Sequence, residues 1–381
     1  MNIKNIDIFC EVIDNFGDAG VVFRLAKELK TYNNNFNVRI FINRLSELEK
    51  INKKIDILSK TQVVDEITYI LKENSNLFSP AELIIEAFGC EIPKNYYDKI
   101  DKSLIINLEY LTAEKWALDF HLKESLTGNP NIKKFFYMPG FDEKSGGLIL
   151  DEKFLQKIDK KNKIDRFSII NKYIESFDKN ATFGILFSYE SDYCNLIKYL
   201  AEKDSKTILA VMGEKSVYSI NYALKKLNLI PINNCIKYKN LTIKYIDFME
   251  QSEFDDLLCC CDFAFVRGEE SIVRAAIAGI PFIWHIYCQD EYAHMDKLNA
   301  FLEKFSEFSE SKKIIEKYCN LVYNYNYRNI NSLELEKIPD YRVFFEHLDE
   351  IRNCSNSFSR YLREKCSLID KLFLFLNNEK F

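Results

Sequence analysis

The strongest constraint on the fold of this chain is a rhythm that occurs twice. Runs rich in β-branched and apolar residues at Ile6 to Ile13, Val38 to Ile42, Leu83 to Phe88 and Leu104 to Leu108 alternate with polar or helix-period stretches. A second cycle follows at Thr182 to Tyr189, Thr207 to Met212, Leu241 to Ile246, Phe263 to Val266 and Pro281 to Ile286. Strands separated by helical segments are joined by crossovers, and crossovers build mostly parallel sheets covered on both faces. The pattern predicts two doubly wound α/β lobes, and 381 residues suit two domains better than one. The charged stretch Lys157 to Lys163, after the pair Gly146-Gly147, marks the change of lobe. The expected division is residues 1–155 and residues 156–354. A terminal helix of about 355–381, apolar on one side over Phe358 to Leu376, is able to pack back on the first lobe.

Composition narrows the class. Hydrophobic residues at 47% and charged residues at 29% describe an ordinary globular chain. A net charge of −5 argues against nucleic acid as a partner, because phosphate-backbone binding needs clustered Lys and Arg. The 11 cysteines include no CxxC pair, and the run Cys259-Cys260-Cys261 sits in an apolar stretch, so buried thiols are expected rather than a zinc site. The N-terminus lacks a signal-peptide pattern and no apolar run has the length of a membrane span, which places the expected protein in the cytoplasm, off the membrane. The four histidines are dispersed and no HExxH, Asp-x-Asp, GxSxG or P-loop occurs, so no metal site is expected.

Open α/β sheets bind ligands in loops that follow strands. The first such loop is Asp14-Asn-Phe-Gly-Asp-Ala-Gly20. It lacks the GxGxxG spacing of a dinucleotide site, and two carboxylates would repel a pyrophosphate. They suit a cation or general-base chemistry. Asp18 as a helix cap with Asp14 bracing the turn is the competing explanation, and spacing alone does not choose.

The second feature is Phe263-Ala-Phe-Val-Arg-Gly-Glu-Glu-Ser271, a strand, a short turn and a helix that ends at Gly279. Helix N-termini bind anions through free N–H groups and the macrodipole, so Glu270 and Ser271 could present amides and a hydroxyl to a diphosphate, with Arg267 adding charge. First-turn acids complementing the dipole would account for the same residues. The apolar helix with its Ala-Gly-Ile-Pro281 turn resembles the nucleotide-sugar signature of two-lobed glycosyltransferases. Phe187 and Tyr189 at a strand end, and Phe254 on a helical segment, offer aromatic faces to a base or sugar, with core packing as the alternative. Gln289-Asp-Glu-Tyr-Ala-His-Met-Asp296 is expected to open the helix after Ile286.

Four blocks together resemble the protein-arginine rhamnosyltransferases that modify bacterial elongation factor P. They are Cys10-Glu-Val-Ile-Asp-Asn-Phe-Gly-Asp-Ala-Gly20, Asn107-Leu-Glu-Tyr-Leu-Thr-Ala-Glu114, Phe136-Tyr-Met-Pro-Gly-Phe141 with Gly146-Gly-Leu148, and Phe265-Val-Arg-Gly-Glu-Glu-Ser271 with Gln289-Asp-Glu291. The resemblance implies a GT-B fold, two Rossmann-like lobes facing each other across a cleft. It implies a dTDP-β-L-rhamnose donor held mainly by the second lobe, no further cofactor, and an acceptor arginine of elongation factor P at the first lobe, modified with inversion. Asp18 matches the general base, Asp14 the neighbouring carboxylate, and Glu269 an acid beside the donor. Phe187, Tyr189, Phe254, Arg267, Glu270 and Ser271 match donor-binding positions, with Asp more usual in place of Glu270. Asn15, Phe16 and Gly17 of the acidic loop and Gln289 complete the candidate substrate contacts. Two other functions compete: a glycosyltransferase of the same fold acting on a small-molecule or lipid-linked acceptor, and a non-catalytic nucleotide-binding protein.

Overall fold

The computed structural model describes residues 3–13, 16–129, 132–160, 165–175, 177–231, 234–327 and 339–378. The chain divides into two compact units, Met1–Lys153 with Leu362–Phe381, and Phe154–Tyr361. The first division falls inside the helix Glu152–Asp159, and the second inside the helix Leu348–Lys365.

Among the described residues, unit 1 is built on eight strands. They are β1 (Asn5–Cys10), β2 (Asn37–Ile42), β3 (Thr61–Val64), β4 (Ile67–Leu71), β5 (Leu83–Ala87), β6 (Leu104–Leu108), β7 (Glu124–Ser125) and β8 (Lys133–Tyr137). The order is β3-β4-β2-β1-β5-β6-β8-β7, parallel except at the edge strands β3 and β7. Side chains alternate across each strand. Ile6, Ile8 and Cys10 therefore join one core, with Val22, Leu25, Ala26 and Leu29 of the helix Phe16–Tyr32, while Phe9 packs in the opposite one with Phe41, Ile84, Tyr96 and Ile105.

Unit 2 repeats the plan with β9 (Thr182–Leu186), β10 (Thr207–Met212), β11 (Cys235–Tyr238), β12 (Leu241–Ile246), β13 (Phe263–Arg267) and β14 (Phe282–His285). Its order is β11-β12-β10-β9-β13-β14, with only β11 antiparallel.

Five strands are absent from the sequence-based expectation. β3 and β4 form a hairpin closed by Asp65 and Glu66, both in the left-handed region at φ 49° and 63°. Two-residue turns of this hand normally advertise themselves with Asn-Gly, and here charged residues hide the signal. The expected first strand runs past its real end, since pairing stops at Cys10 and Ile13 is 73% exposed.

The terminal helix is also two helices, Leu348–Lys365 and Leu368–Asn378. Between them the backbone pairs with Leu148: its N–H donates to the Cys366 carbonyl at 2.7 Å and its carbonyl accepts from the Leu368 N–H at 2.9 Å. That bridge needs Gly147, for a Cβ there (φ 75°) would sit 2.6 Å from the Cys366 oxygen. Leu368, Ile369, Leu372, Phe373 and Leu376 of the last helix complete the core on the helix Phe16–Tyr32 side of the first sheet.

In each unit the chain starts in a central strand, winds outwards on one side and then crosses to the other. The topological switch point lies between β1 and β5 in unit 1 and between β9 and β13 in unit 2. Ligands of doubly wound sheets bind beyond the strand carboxyl ends at such points.

Candidate active site

At the unit 2 switch point, β9 gives way to Phe187-Ser188-Tyr189 and β13 ends on Arg267. The Arg267 guanidinium carbon lies 4.5 Å from the Phe187 ring centroid and 5.1 Å from that of Tyr189. Its Nη1 donates to the Ser188 carbonyl at 3.4 Å. Phe254, on the helix Gln251–Cys259, meets Phe187 at 5.8 Å between centroids. Four of the expected donor-binding residues thus come together, with the cation against two aromatic faces.

The turn after Arg267 is tightly fixed. Ser271 Oγ accepts from the Arg267 N–H at 3.0 Å and donates to the Arg267 carbonyl, so this buried hydroxyl holds the turn. Gly268 adopts φ 60°, its carbonyl accepts from Trp284 Nε1 at 2.8 Å, and a Cβ there would lie 3.3 Å from the Tyr189 hydroxyl. The helix Glu270–Ala278 then starts, and Gly279 ends it at φ 65°. Its first-turn amides carry the positive end of the dipole. Glu269, at the N-cap, accepts from Lys297 Nζ at 2.7 Å, and Glu270 lies 3.8 Å from the buried Arg274. Lys297 belongs to the helix Ala293–Ser306 and carries no motif that would single it out.

Gln289 does not open that helix. Glu291 and Tyr292 intervene with φ 53° and 60°, the helix begins at Ala293, and the backbone N–H of the exposed Gln289 donates to His294 Nδ1 at 3.1 Å. The polar run reads as a first helical turn because left-handed residues other than Gly and Asn leave no mark in a sequence.

Beneath the aromatic face lies a buried polar network that sequence patterning does not show. Ser188 Oγ bonds His285 Nδ1 at 2.9 Å and the Tyr325 hydroxyl at 2.8 Å, and Tyr325 bonds the Tyr193 hydroxyl at 2.7 Å. The Ser188 N–H donates to Ser216 Oγ at 2.7 Å. Strand-end parity was the available signal: if Phe187 and Tyr189 face the site, Ser188 faces the interior and needs partners.

Burial first, then the positive charge of Arg267, holds the His285 imidazole down to about 3. An unfolded histidine titrates at about 6.5, so below that pH the unfolded chain binds a proton that the folded chain refuses. His285 should therefore subtract up to ~1.4 kcal/mol of stability for each pH unit of acidification below pH 6.5. Chemical unfolding at pH 7, 6 and 5 should show a flatter dependence in His285→Asn than in the native chain. Equal slopes would show that the imidazole is not held neutral.

At the unit 1 switch point, Asp18 sits in the first turn of the helix Phe16–Tyr32 and is 5% exposed. Its Oδ2 accepts from the Ile13 N–H at 3.0 Å, reaching back over the start of the helix. The loop is braced from the β2 side, where Asn43 Oδ1 accepts from the Val12 N–H at 3.0 Å and Arg44 Nη2 donates to the Val12 carbonyl at 2.8 Å. Burial, then the Asp18 charge, pushes the Cys10 thiol far up, and burial raises Cys90 to about 11, so neither is a nucleophile. Among the described residues, nothing lies within 4 Å of a Cβ position on Gly17. Asp14, Asn15 and the side chain of Phe16 lie outside the described residues.

Comparisons with known proteins bear on the family and the fold. A family model for the Elongation-Factor P (EF-P) rhamnosyltransferase EarP matches residues 6–377. The chain is 35% identical over 332 residues to a protein-arginine rhamnosyltransferase of Shewanella oneidensis, covering 80% of this chain and 82% of that one. It is 30% identical over 384 residues to the protein-arginine rhamnosyltransferase of Neisseria meningitidis serogroup B, covering 98% and 97%. A solved structure described as the structural basis for EarP-mediated arginine glycosylation of translation elongation factor EF-P matches with a TM-score of 0.66 at 22% identity, over 99% of each chain. That likeness carries the fold, which is α/β of the GT-B class. The chain belongs to the EF-P rhamnosyltransferase family, EarP, and is a glycosyltransferase, a protein-arginine rhamnosyltransferase.

Proposed function

We propose that the chain transfers L-rhamnose from dTDP-β-L-rhamnose, with inversion, to an arginine side chain of translation elongation factor P, in the cytoplasm. The observation that carries the donor half is the cluster of Phe187, Tyr189, Phe254 and Arg267 beside the N-terminus of the helix Glu270–Ala278. Aromatic faces suit a base or a sugar, and a cation at a helix N-terminus suits a diphosphate. Support for the acceptor comes from the family, whose description names elongation factor P.

The chemistry asked of the protein follows from the acceptor. A guanidinium has a pKa above about 12 and its nitrogen lone pairs are delocalised, so it attacks only when oriented and relieved of a proton. In the proposed step, the guanidine nitrogen forms a bond to the anomeric carbon from the face opposite the diphosphate, the carbon–oxygen bond breaks, and the nitrogen's proton passes to the Asp18 carboxylate. Asp14 fixes the guanidinium plane and Glu269 adds an acidic group beside the sugar. Arg267, the Tyr189 hydroxyl and the amides of Glu270 and Ser271 take up the charge of the leaving diphosphate. Asn15, Phe16, Gly17 and Gln289 line the substrates in this assignment.

Purified chain, elongation factor P and dTDP-rhamnose, followed by intact mass of the acceptor, test the proposal. Gain of one deoxyhexosyl group is expected, and UDP-glucose in place of dTDP-rhamnose should give none. An unmodified acceptor would overturn the assignment of donor and acceptor while leaving the family intact.

A further inference from the structure

Lys215, which no motif singles out, is the second residue of the helix Glu214–Lys226 that follows β10, the strand next to β9. Its Nζ lies 5.0 Å from the Tyr189 ring centroid, and Arg267 lies 5.1 Å from the same ring. One tyrosine thus carries two cations. The turn that delivers Lys215 is seated on the site, since a Cβ on Gly213 would meet the Phe187 ring at 3.0 Å. Its carboxylate contact is Glu190 at 3.7 Å, a pair with both side chains more than a third exposed. Such pairs contribute little, and the geometry is too long for a hydrogen bond. Both Lys215 and Arg267 oppose protonation of His285, so both charges lie close enough to the buried network to be felt there.

A diphosphate that leaves gains negative charge as the glycosidic bond breaks. A helix N-terminus supplies roughly half a positive charge and Arg267 one more. A lysine is a compact charge on a flexible stem, able to swing from a ring face to a phosphate oxygen. We infer that Lys215 is a second cationic binding residue for the donor's diphosphate, engaging it together with Arg267. The inference rests on the donor assignment of the preceding subsection.

Titration with thymidine diphosphate and with thymidine, on the native chain and on Lys215→Met and Lys215→Arg, tests it. Lys215→Met should weaken thymidine diphosphate roughly 10- to 100-fold, the scale of a charge-assisted hydrogen bond, and leave thymidine binding unchanged. Lys215→Arg should retain most of the affinity, and the salt dependence of diphosphate binding should fall in Lys215→Met. Undiminished diphosphate binding by Lys215→Met would overturn the inference alone. An equal loss of thymidine would also overturn it, because Lys215 would then merely support Tyr189. A native chain that binds neither probe would overturn the donor assignment and the inference with it.

Discussion

Asp18→Asn should lower rhamnosyl transfer to the acceptor by roughly 10²- to 10⁴-fold in kcat, the range that a positioned general base contributes. The substitution is chosen for what it keeps. A carboxamide oxygen still accepts the Ile13 N–H that Asp18 Oδ2 accepts at 3.0 Å, so the start of the helix Phe16–Tyr32 is preserved. The unfolding midpoint and donor affinity should therefore stay near native values. What is lost is the ability to take a proton from a guanidinium. Turnover at the native rate would reduce Asp18 to a bracing residue, and a large drop in the unfolding midpoint would show that the two roles had not been separated.

Arg39→Leu should destabilise unit 1 by about 3–5 kcal/mol, the scale for stranding a buried charge. Asp7 of β1 is fully buried, and Arg39, its register partner on β2, holds it through two bonds of 2.5 and 2.7 Å. The Ala81 N–H at 3.2 Å and the Tyr96 hydroxyl complete the carboxylate's shell. Burial already raises the Asp7 carboxyl above its ordinary range despite Arg39. Without the guanidinium it rises further, so above about pH 3.9 the folded variant holds a proton that the unfolded chain releases. The sign follows: the deficit should narrow as pH falls towards 4 and widen towards 8. Urea unfolding at several pH values measures this, and a loss below ~1 kcal/mol at pH 7 would show that the carboxylate finds other partners. Activity of the folded fraction should be unaffected, since Asp7 lies in the first half of β1, away from its carboxyl end.

These two aspartates mark the limit of what patterning can say. Within one short stretch, Asp18 belongs to a polar loop after a strand and is marked as a candidate by its position, whereas Asp7 sits inside an apolar run and gives no hint of Arg39, Ala81 or Tyr96. The partners are 32, 74 and 89 residues away along the chain and meet only when β1 pairs with β2 and β5. Lys215, Lys297 and His285 escaped for the same reason: each acts through a neighbour supplied by another element, and a single sequence carries no record of that pairing.

What the sequence by itself determined was the class of fold and the loops worth examining. Near-continuous apolar, β-branched runs separated by helical segments leave little choice but parallel sheets, and such sheets put chemistry at their strand carboxyl ends. Order along the chain was therefore enough to mark Asp18, Phe187, Tyr189 and Arg267 as candidates, and the family resemblance supplied their expected roles. Tertiary structure alone decided that Arg267 lies against two rings, that Ser271 spends its hydroxyl on a turn, that Glu269 is paired with Lys297, and that the terminal helix breaks to bond Leu148. The physical reason is range. Periodicity and turn chemistry act over a few residues, while hydrogen-bond satisfaction and ion pairing are met by whatever the packed sheet brings within about 3 Å.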